Sequence, residues 1–327
     1  CLLSRGLGDV YKRQMLRYLD NAQNAAGRIN ENYARELMEL HTLGVDSGYS
    51  QQDVQELARV LTGVGVSQRP PGDEPPRMRP ALLRHYVREG LFEFNPQRHD
   101  WDPKTLLGQP LRAQGLAEVD EALDRLTRAP ATARFITRKI ALFLMGDNPP
   151  PALLQTLARS FERSDGDIAA VLETLFHTPE FRASLGQRFR DPVHYALAGL
   201  RLAHGDAVLP STDPALAWLQ RLAEPLYGRV TPDGYPLDSA TWSGSGQMST
   251  RFEMARALGA GALAAPPASD DAAPRAAPRT PPALAQTAYV RTLEPTWSPA
   301  TRGALAQATS PREWNLLFLA SPEFMHG

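Results

Sequence analysis

The sequence predicts a mainly α-helical protein, a multi-helical compact domain with one small two-stranded β-ribbon. Apolar residues recur at i, i+3, i+4 and i+7 through most of the 327 residues, and capping residues precede many of these stretches. Only the region near 63–96 contains a short stretch in which apolar and polar residues alternate as they do in a strand. A single compact domain and two poorly separated helical lobes both agree with this pattern.

The first 14 residues do not share this organisation. Residues 4–14 read SRGLGDVYKRQ, and they back-translate into a common tagmentation sequencing adapter. We therefore hypothesise that residues 1–14 are a non-native, adapter-derived tail, and we expect this tail to pack loosely. On this hypothesis Met15 is an internal methionine, and the chain is an N-terminally truncated fragment.

Two capped helices follow the tail. Residues 30–43 have an apolar and a polar face, with Asn30 placed to cap the start and Gly44 placed to end the helix. Ser50 is placed to cap the next helix, and Asp53 is placed to complete a variant of the capping box. The sequence thus predicts a helical pair ahead of the ribbon.

Helical periodicity dominates the remainder of the chain. The ribbon is expected to include Phe92 and Phe94, which alternate with Glu93. The later helices are predicted at about 116–128, 131–145, 150–163, 167–177, 191–204, 214–226, 247–262, 283–293 and 310–320. In the second of these, the expected core face consists of Phe135, Ile136, Ile140, Phe143 and Leu144.

The predicted domain organisation has three native parts. Residues 15–263 form the helical domain with its ribbon, and residues 264–282 form a flexible segment rich in proline and alanine. The helices of 283–327 are expected to pack on the same domain as 15–263.

The composition excludes several classes of protein. The chain is 43% hydrophobic and 22% charged. Its formal net charge of -1 does not indicate the excess of basic residues that is typical of a nucleic-acid-binding protein. It contains no run of about 18 apolar residues, so no transmembrane segment is predicted. The only cysteine is Cys1, which excludes a disulfide framework and a zinc-thiolate site.

Several stretches together resemble one family. They include NENYARELMELHTLGVDSGYSQQDVQELARVLTG at 30–63, FEFNPQRHDWDPKTLLG at 92–108 and LASPEF at 319–324. Over nearly all of 15–327 the chain resembles the bacterial domain of unknown function 1800 family. The resemblance implies a longer N-terminal part, and an exported or periplasmic protein whose signal region is absent from this fragment. It also implies a neighbouring gene for a sulfatase-like exported protein, but no established activity.

The first candidate for chemistry lies on the helix at 30–43. Glu36 and Glu39 are three residues apart, so they are placed to bind one metal ion or to divide acid and base roles. Alternatively, Arg35 pairs with Glu39 or with Glu31 in a structural ionic cluster, and we favour this interpretation.

The second candidate is the pair His99 and Asp100, just after the predicted strand. Such a pair on a loop can act as a ligand or a base, whereas the alternative is an ordinary turn. Together with Glu36 and Glu39 the pair would form a catalytic group. Its metal ligands would be Glu36, Glu39 and His99, and its cofactor would be a divalent metal.

Five residues are candidates for binding: Arg35, Lys104, Arg138, Tyr235 and Trp242. The basic ones are placed to bind anions, and Arg138 is alternatively expected to pair with a glutamate inside the core. Tyr235 and Trp242 would line a groove for a sugar or a peptide, or would have a structural role in aromatic packing, which is the interpretation we favour.

Two functions are compatible with these features. The leading hypothesis is a non-enzymatic exported protein that acts as a binding or maturation partner of another exported protein. The resemblance implies that this partner is the sulfatase-like protein encoded nearby. The competing hypothesis is a metal-dependent, hydrolase-like enzyme that uses Glu36, Glu39, His99 and Asp100. The sequence leaves open whether the protein is an enzyme.

Overall fold

The structure, a computed structural model, describes residues 13–45, 47–70, 73–209, 211–262 and 280–327. Within these ranges helices dominate, and the strands form only two small antiparallel sheets, so the predicted fold class is confirmed. All but the last two residues of the predicted tail, and most of the proline- and alanine-rich segment, lie outside the described residues.

The chain divides into two compact units. The first comprises residues 1–141 and 150–178, and the second comprises 142–149 and 179–327. The helices beyond residue 283 lie in the second unit, together with residues 179–262.

The first unit contains most of the sheet structure. Its elements up to the second sheet are α1 (Arg13–Tyr18), a 3-10 turn (Asn21–Gln23), α2 (Asn32–Glu36), a π-helix (Leu37–Thr42), α3 (Gln51–Val60), β1 (Val64–Val66), α4 (Pro80–Leu83), β2 (Val87–Glu89), β3 (Phe92–Phe94), β4 (Thr105–Leu106) and β5 (Gln109–Pro110). These are followed by α5 (Leu116–Thr127), α6 (Pro130–Met145), α7 (Pro151–Arg163) and α8 (Ile168–Phe176). Residues 142–145, the last turn of α6, are assigned to the second unit.

The predicted pair of helices is present, but the first of them changes from α-helical to π-helical hydrogen bonding along its length. The helix predicted at 30–43 begins as α2 and continues as the π-helix, within which the Thr42 hydroxyl donates to the Leu37 carbonyl at 2.8 Å. The capping box of α3 is present, because the Asp53 amide donates to the Ser50 hydroxyl at 3.1 Å and the Ser50 amide donates to the Asp53 carboxylate at 2.8 Å. Local sequence therefore fixes the start of α3.

The first sheet has the order β1-β3-β2, and both pairings are antiparallel. Val64 lies opposite Phe94 and Val66 lies opposite Phe92, so the ribbon predicted near 63–96 is formed by β1 and β3. The third strand, β2, was not predicted. Phe92 and Phe94 are buried while Glu93 is half-buried, as their alternation predicts.

The buried face of α6 differs from the prediction. Phe143, expected in the core, is 44% exposed, and that part of the prediction was wrong. The buried face of α6 instead contains four residues spaced four apart along the helix: Ala133, Thr137, Ala141 and Met145. The Thr137 hydroxyl is satisfied by the Ala133 carbonyl at 2.7 Å, so a polar residue is tolerated on this face.

The second unit is helical. Its elements are α9 (Pro179–Ser184), α10 (Pro192–His204), α11 (Asp213–Arg221), α12 (Ser239–Trp242), α13 (Ser245–Gly259), a 3-10 turn (Leu284–Gln286), α14 (Ala288–Leu293), a second 3-10 turn (Glu294–Thr296), α15 (Pro299–Ala306), α16 (Pro311–Leu319) and α17 (Pro322–Met325). In its core α13 packs against α16, where Asn315 donates to the Gly259 carbonyl at 3.1 Å.

The second unit also buries a cation. Arg251 is fully buried, donates to the Arg190 carbonyl at 2.7 Å, and lies 4.7 and 4.8 Å from the ring centres of Phe189 and Tyr195. Aromatic faces stabilise a guanidinium that has lost water, so this packing offsets part of the cost of burial.

Candidate functional site

The predicted site residue His99 is a packed core residue of the first unit. It is 3% exposed, and its ring meets the rings of Phe94 and Trp101 edge-on at 5.1 and 5.0 Å. Its Nδ1 lies 2.9 Å from the Thr62 carbonyl oxygen, just beyond the end of α3. The Asp100 amide donates to the Thr62 hydroxyl at 2.8 Å. The segment is therefore anchored to the helix through both residues.

A buried ion pair lies next to His99. Lys104 Nζ is 2.8 Å from Glu118 Oε2 on α5, and the two side chains are 1% and 6% exposed. The same ammonium donates to the carbonyls of Asp100 and Asp102. His99 Nε2 is 3.3 Å from Glu118 Oε2 without the alignment of a hydrogen bond. Lys104 thus connects the loop that contains Asp100 and Asp102 to α5.

Asp100 faces the other way, toward α3. Arg59 Nε is 2.8 Å from Asp100 Oδ2, and another guanidinium nitrogen is 2.9 Å from Glu56 Oε1. Burial raises the pKa of Asp100, but the hydrogen bonds from Arg59 and from the Asp102 amide, with the charges of Arg59 and Lys104, outweigh it and leave the pKa below its usual value. Asp100 is consequently an ionised partner of Arg59.

The carboxylates of α3 also hold the hairpin β4–β5. Glu56 Oε2 accepts from the Thr105 amide at 2.8 Å, and Asp53 Oδ1 accepts from the Leu107 amide at 2.6 Å. From α5, Arg125 donates to the Leu106 carbonyl at 2.9 Å. These charged side chains therefore satisfy the backbone of an irregular segment, which is what a loop packed between two helices requires.

Glu36 and Glu39 are half-buried on α2 and the π-helix. Arg35 pairs with Glu31 at 3.0 Å, which is one of its two predicted pairings, and it also donates to Gln51 at 2.9 Å. The partners described above for His99 and Asp100 do not include Glu36 or Glu39.

The metal assignment of Glu36, Glu39 and His99 stays a prediction. Within the ranges that the structure describes, no group of three or more His, Cys, Asp and Glu side chains is arranged to hold a metal ion. The catalytic assignment, which adds Asp100 to the same group, likewise stays a prediction.

The remaining binding candidates lie in different surroundings. Arg138 is exposed on α6, not inside the core. Trp242 is 4% exposed and donates through Nε1 to the Pro236 carbonyl at 3.0 Å, while the Tyr235 hydroxyl donates to the Pro225 carbonyl at 2.7 Å. Both side chains therefore bond to carbonyls of the segment 225–236, Tyr235 from within it and Trp242 from α12, and their ring centres are 6.2 Å apart.

That loop displays a surface that sequence reasoning missed. We call residues 225–236 the display loop. Leu226, Tyr227 and Val230 are exposed on it, Val230 to 83% and Tyr227 completely. Tyr227 also has a left-handed backbone, with φ of 57°. The one available signal was the occurrence of three large apolar residues in a segment rich in turn residues.

The fold and these contacts define a mainly α-helical protein in two compact units, whose charged loop residues serve internal packing. A family model described as a protein of unknown function (DUF1800) matches residues 10–326, and the chain belongs to this family. Comparison with curated proteins and with solved structures found no significant match. The helices of the described residues are too short or too polar to span a membrane.

Proposed function

We propose that the protein is a binding or maturation partner of another exported bacterial protein, and that it acts without catalysis of its own. The display loop is the observation that carries this proposal. Large apolar side chains on a surface cost free energy in water, so a cluster of them held in place is typical of a protein interface.

Several hydrogen bonds connect residues within the display loop. Arg229 is 2.6 Å from Asp233 Oδ2, and the Gly228 amide donates to the Pro225 carbonyl at 3.0 Å. Tyr235 and Trp242 also donate to the carbonyls of Pro225 and Pro236 in this loop. A surface ordered before binding loses less conformational entropy on association, so such a loop suits recognition of a partner.

The backbone of Tyr227 supports the same conclusion. A left-handed conformation at a residue other than glycine costs about 1–3 kcal/mol, and such residues cluster at ligand clamps and switch regions. In the display loop this conformation places an aromatic side chain entirely in solvent, where it gains nothing from the fold.

The charged residues near His99 support the absence of catalysis. Lys104, Glu118, Asp100 and Arg59 are engaged with one another or with loop backbone. A general base must instead be within reach of a substrate proton. The partner proposed here, the sulfatase-like exported protein encoded nearby, rests on the family resemblance.

The proposal is tested by co-expressing the chain with that neighbouring protein and measuring their co-purification. Tyr227→Ser combined with Val230→Ser is expected to abolish the complex. Val208→Ser is the matched control, because Val208 is 92% exposed in the same unit but outside the display loop. Equal co-purification of the double variant and the wild type would overturn the assignment of the loop.

A further inference from the structure

A polar cavity of about 510 Å³ lies in the first unit. The charged residues that line it are Arg17 of α1, Asp20 after α1, Arg69 after β1, Glu93 of β3 and Arg98 after β3. Three arginines and two acidic residues thus line one space. Its volume falls within the range of about 300–1,000 Å³ that is usual for small-molecule sites.

Arg98 is fixed in the wall of this cavity. One of its terminal nitrogens donates to the carbonyls of Ala22 and Asn24 at 2.8 and 2.9 Å. These bonds orient the guanidinium plane while leaving its other N–H groups available, because a guanidinium has five donors. The side chain is therefore positioned before any ligand arrives.

The positive charge of the cavity is incompletely balanced. In the described part of the chain, Arg17, Arg69 and Arg98 form no ion pair with an acidic side chain. Burial lowers the pKa of Arg98, and the charge of Glu93 offsets this effect only in part. An anion in the cavity would supply the missing counter-charge.

We propose that this cavity binds a tetrahedral oxyanion, a phosphate or sulfate group, carried on a small hydroxylated body. Arginine matches such oxyanions because its parallel N–H groups donate to two oxygens at once. The buried hydroxyl of Ser67 adds a further donor in the lining, while Asp20 and Glu93 accept from the hydroxyl groups of the body. None of the described residues that line this site belongs to the display loop.

The test is isothermal titration of the 327-residue chain with inorganic phosphate, inorganic sulfate and glycerol 3-phosphate, against potassium chloride at matched ionic strength. Saturable binding of an oxyanion and no heat from chloride are expected. Glycerol 3-phosphate should bind more tightly than inorganic phosphate. The phosphate and sulfate arms distinguish the two sources of the oxyanion.

Two variants separate the cavity from general surface charge. Arg69→Ala is expected to weaken glycerol 3-phosphate binding about tenfold or more, the usual effect of losing one charge-assisted hydrogen bond. Arg112→Ala, which removes an exposed arginine of the same unit outside the cavity, should leave binding unchanged. Equal losses in the two variants, or equal heats from chloride and phosphate in the wild type, would overturn the proposal. Far-ultraviolet circular dichroism confirms that both variants fold.

Discussion

The buried pair of Lys104 and Glu118 permits a quantitative test of the internal role of the charged loop residues. Lys104→Met removes the ammonium and leaves the Glu118 carboxylate without its partner in a place where the side chain is 6% exposed. Removing one member of a buried ion pair leaves the other charge buried and unpaired, which lowers the free energy of unfolding by about 3–5 kcal/mol. The variant also frees two loop carbonyls that the ammonium had satisfied, which adds to the cost.

A double-mutant cycle isolates the pair from these other effects. Glu118→Gln in the Lys104→Met background removes the stranded charge, so the double variant should be less destabilised than the sum of the two single variants. The expected coupling is about 1–3 kcal/mol, within the range for contacting residues in one network. Urea unfolding followed by circular dichroism measures the free energy of unfolding for the wild type and all three variants.

Two outcomes would refute this reasoning. One is a cost below about 1 kcal/mol for Lys104→Met, the value typical of a surface ion pair. The other is strict additivity of the two substitutions, which would mean that the charges of Lys104 and Glu118 do not interact.

Three further predictions address other positions. Gly44→Ala should lower the free energy of unfolding by about 2–4 kcal/mol, because Gly44 has φ of 88° and an added Cβ would lie 2.5 Å from the Phe135 ring. Gly48 has the same φ but open space around it, so Gly48→Ala should cost only about 1–2 kcal/mol in the same urea assay. Burial and a neighbouring carboxylate raise the pKa of Glu224 from 4.5 to about 7. The folded protein therefore binds this proton more tightly than the unfolded chain does, and the contribution of Glu224 to stability is lost as pH rises from 4.5 through about 7. Glu224→Gln should remove this fall in the free energy of unfolding, and an unchanged pH profile would contradict the assignment. Tyr227→Gly should leave stability equal or higher, because glycine adopts φ of 57° without strain; a clear loss of stability would show that the ring supports the fold.

The parts of the fold that local sequence determines were predicted well. The capping box at Ser50 and Asp53 depends on residues three apart, and the alternation of Phe92 and Phe94 depends on residues two apart. The strand Val87–Glu89 was missed because it is short and polar, and because its pairing with β3 completes a sheet that local pattern does not reveal.

The errors concern contacts made across the fold. The sequence predicts Phe143 in the core as one member of an apolar helix face, whereas the buried face of α6 contains smaller residues such as Ala133 and Ala141. The role of Lys104 depends on Glu118, which lies 14 residues later on another element. The sequence predicts catalytic and metal-binding roles for His99 and Asp100, and these roles stay predictions. The partners that the structure gives them, Thr62 and Arg59, lie about 40 residues earlier in the chain and cannot be identified from local sequence.

Hydrogen exchange on the complex with the neighbouring exported protein tests the central claim most directly. Binding through the display loop predicts slower amide exchange in peptides that cover residues 222–236, and unchanged exchange in peptides that cover 95–110. Protection of residues 95–110 with no change at 222–236 would contradict the claim, because it would place the contact surface at His99 and Asp100 rather than at Tyr227.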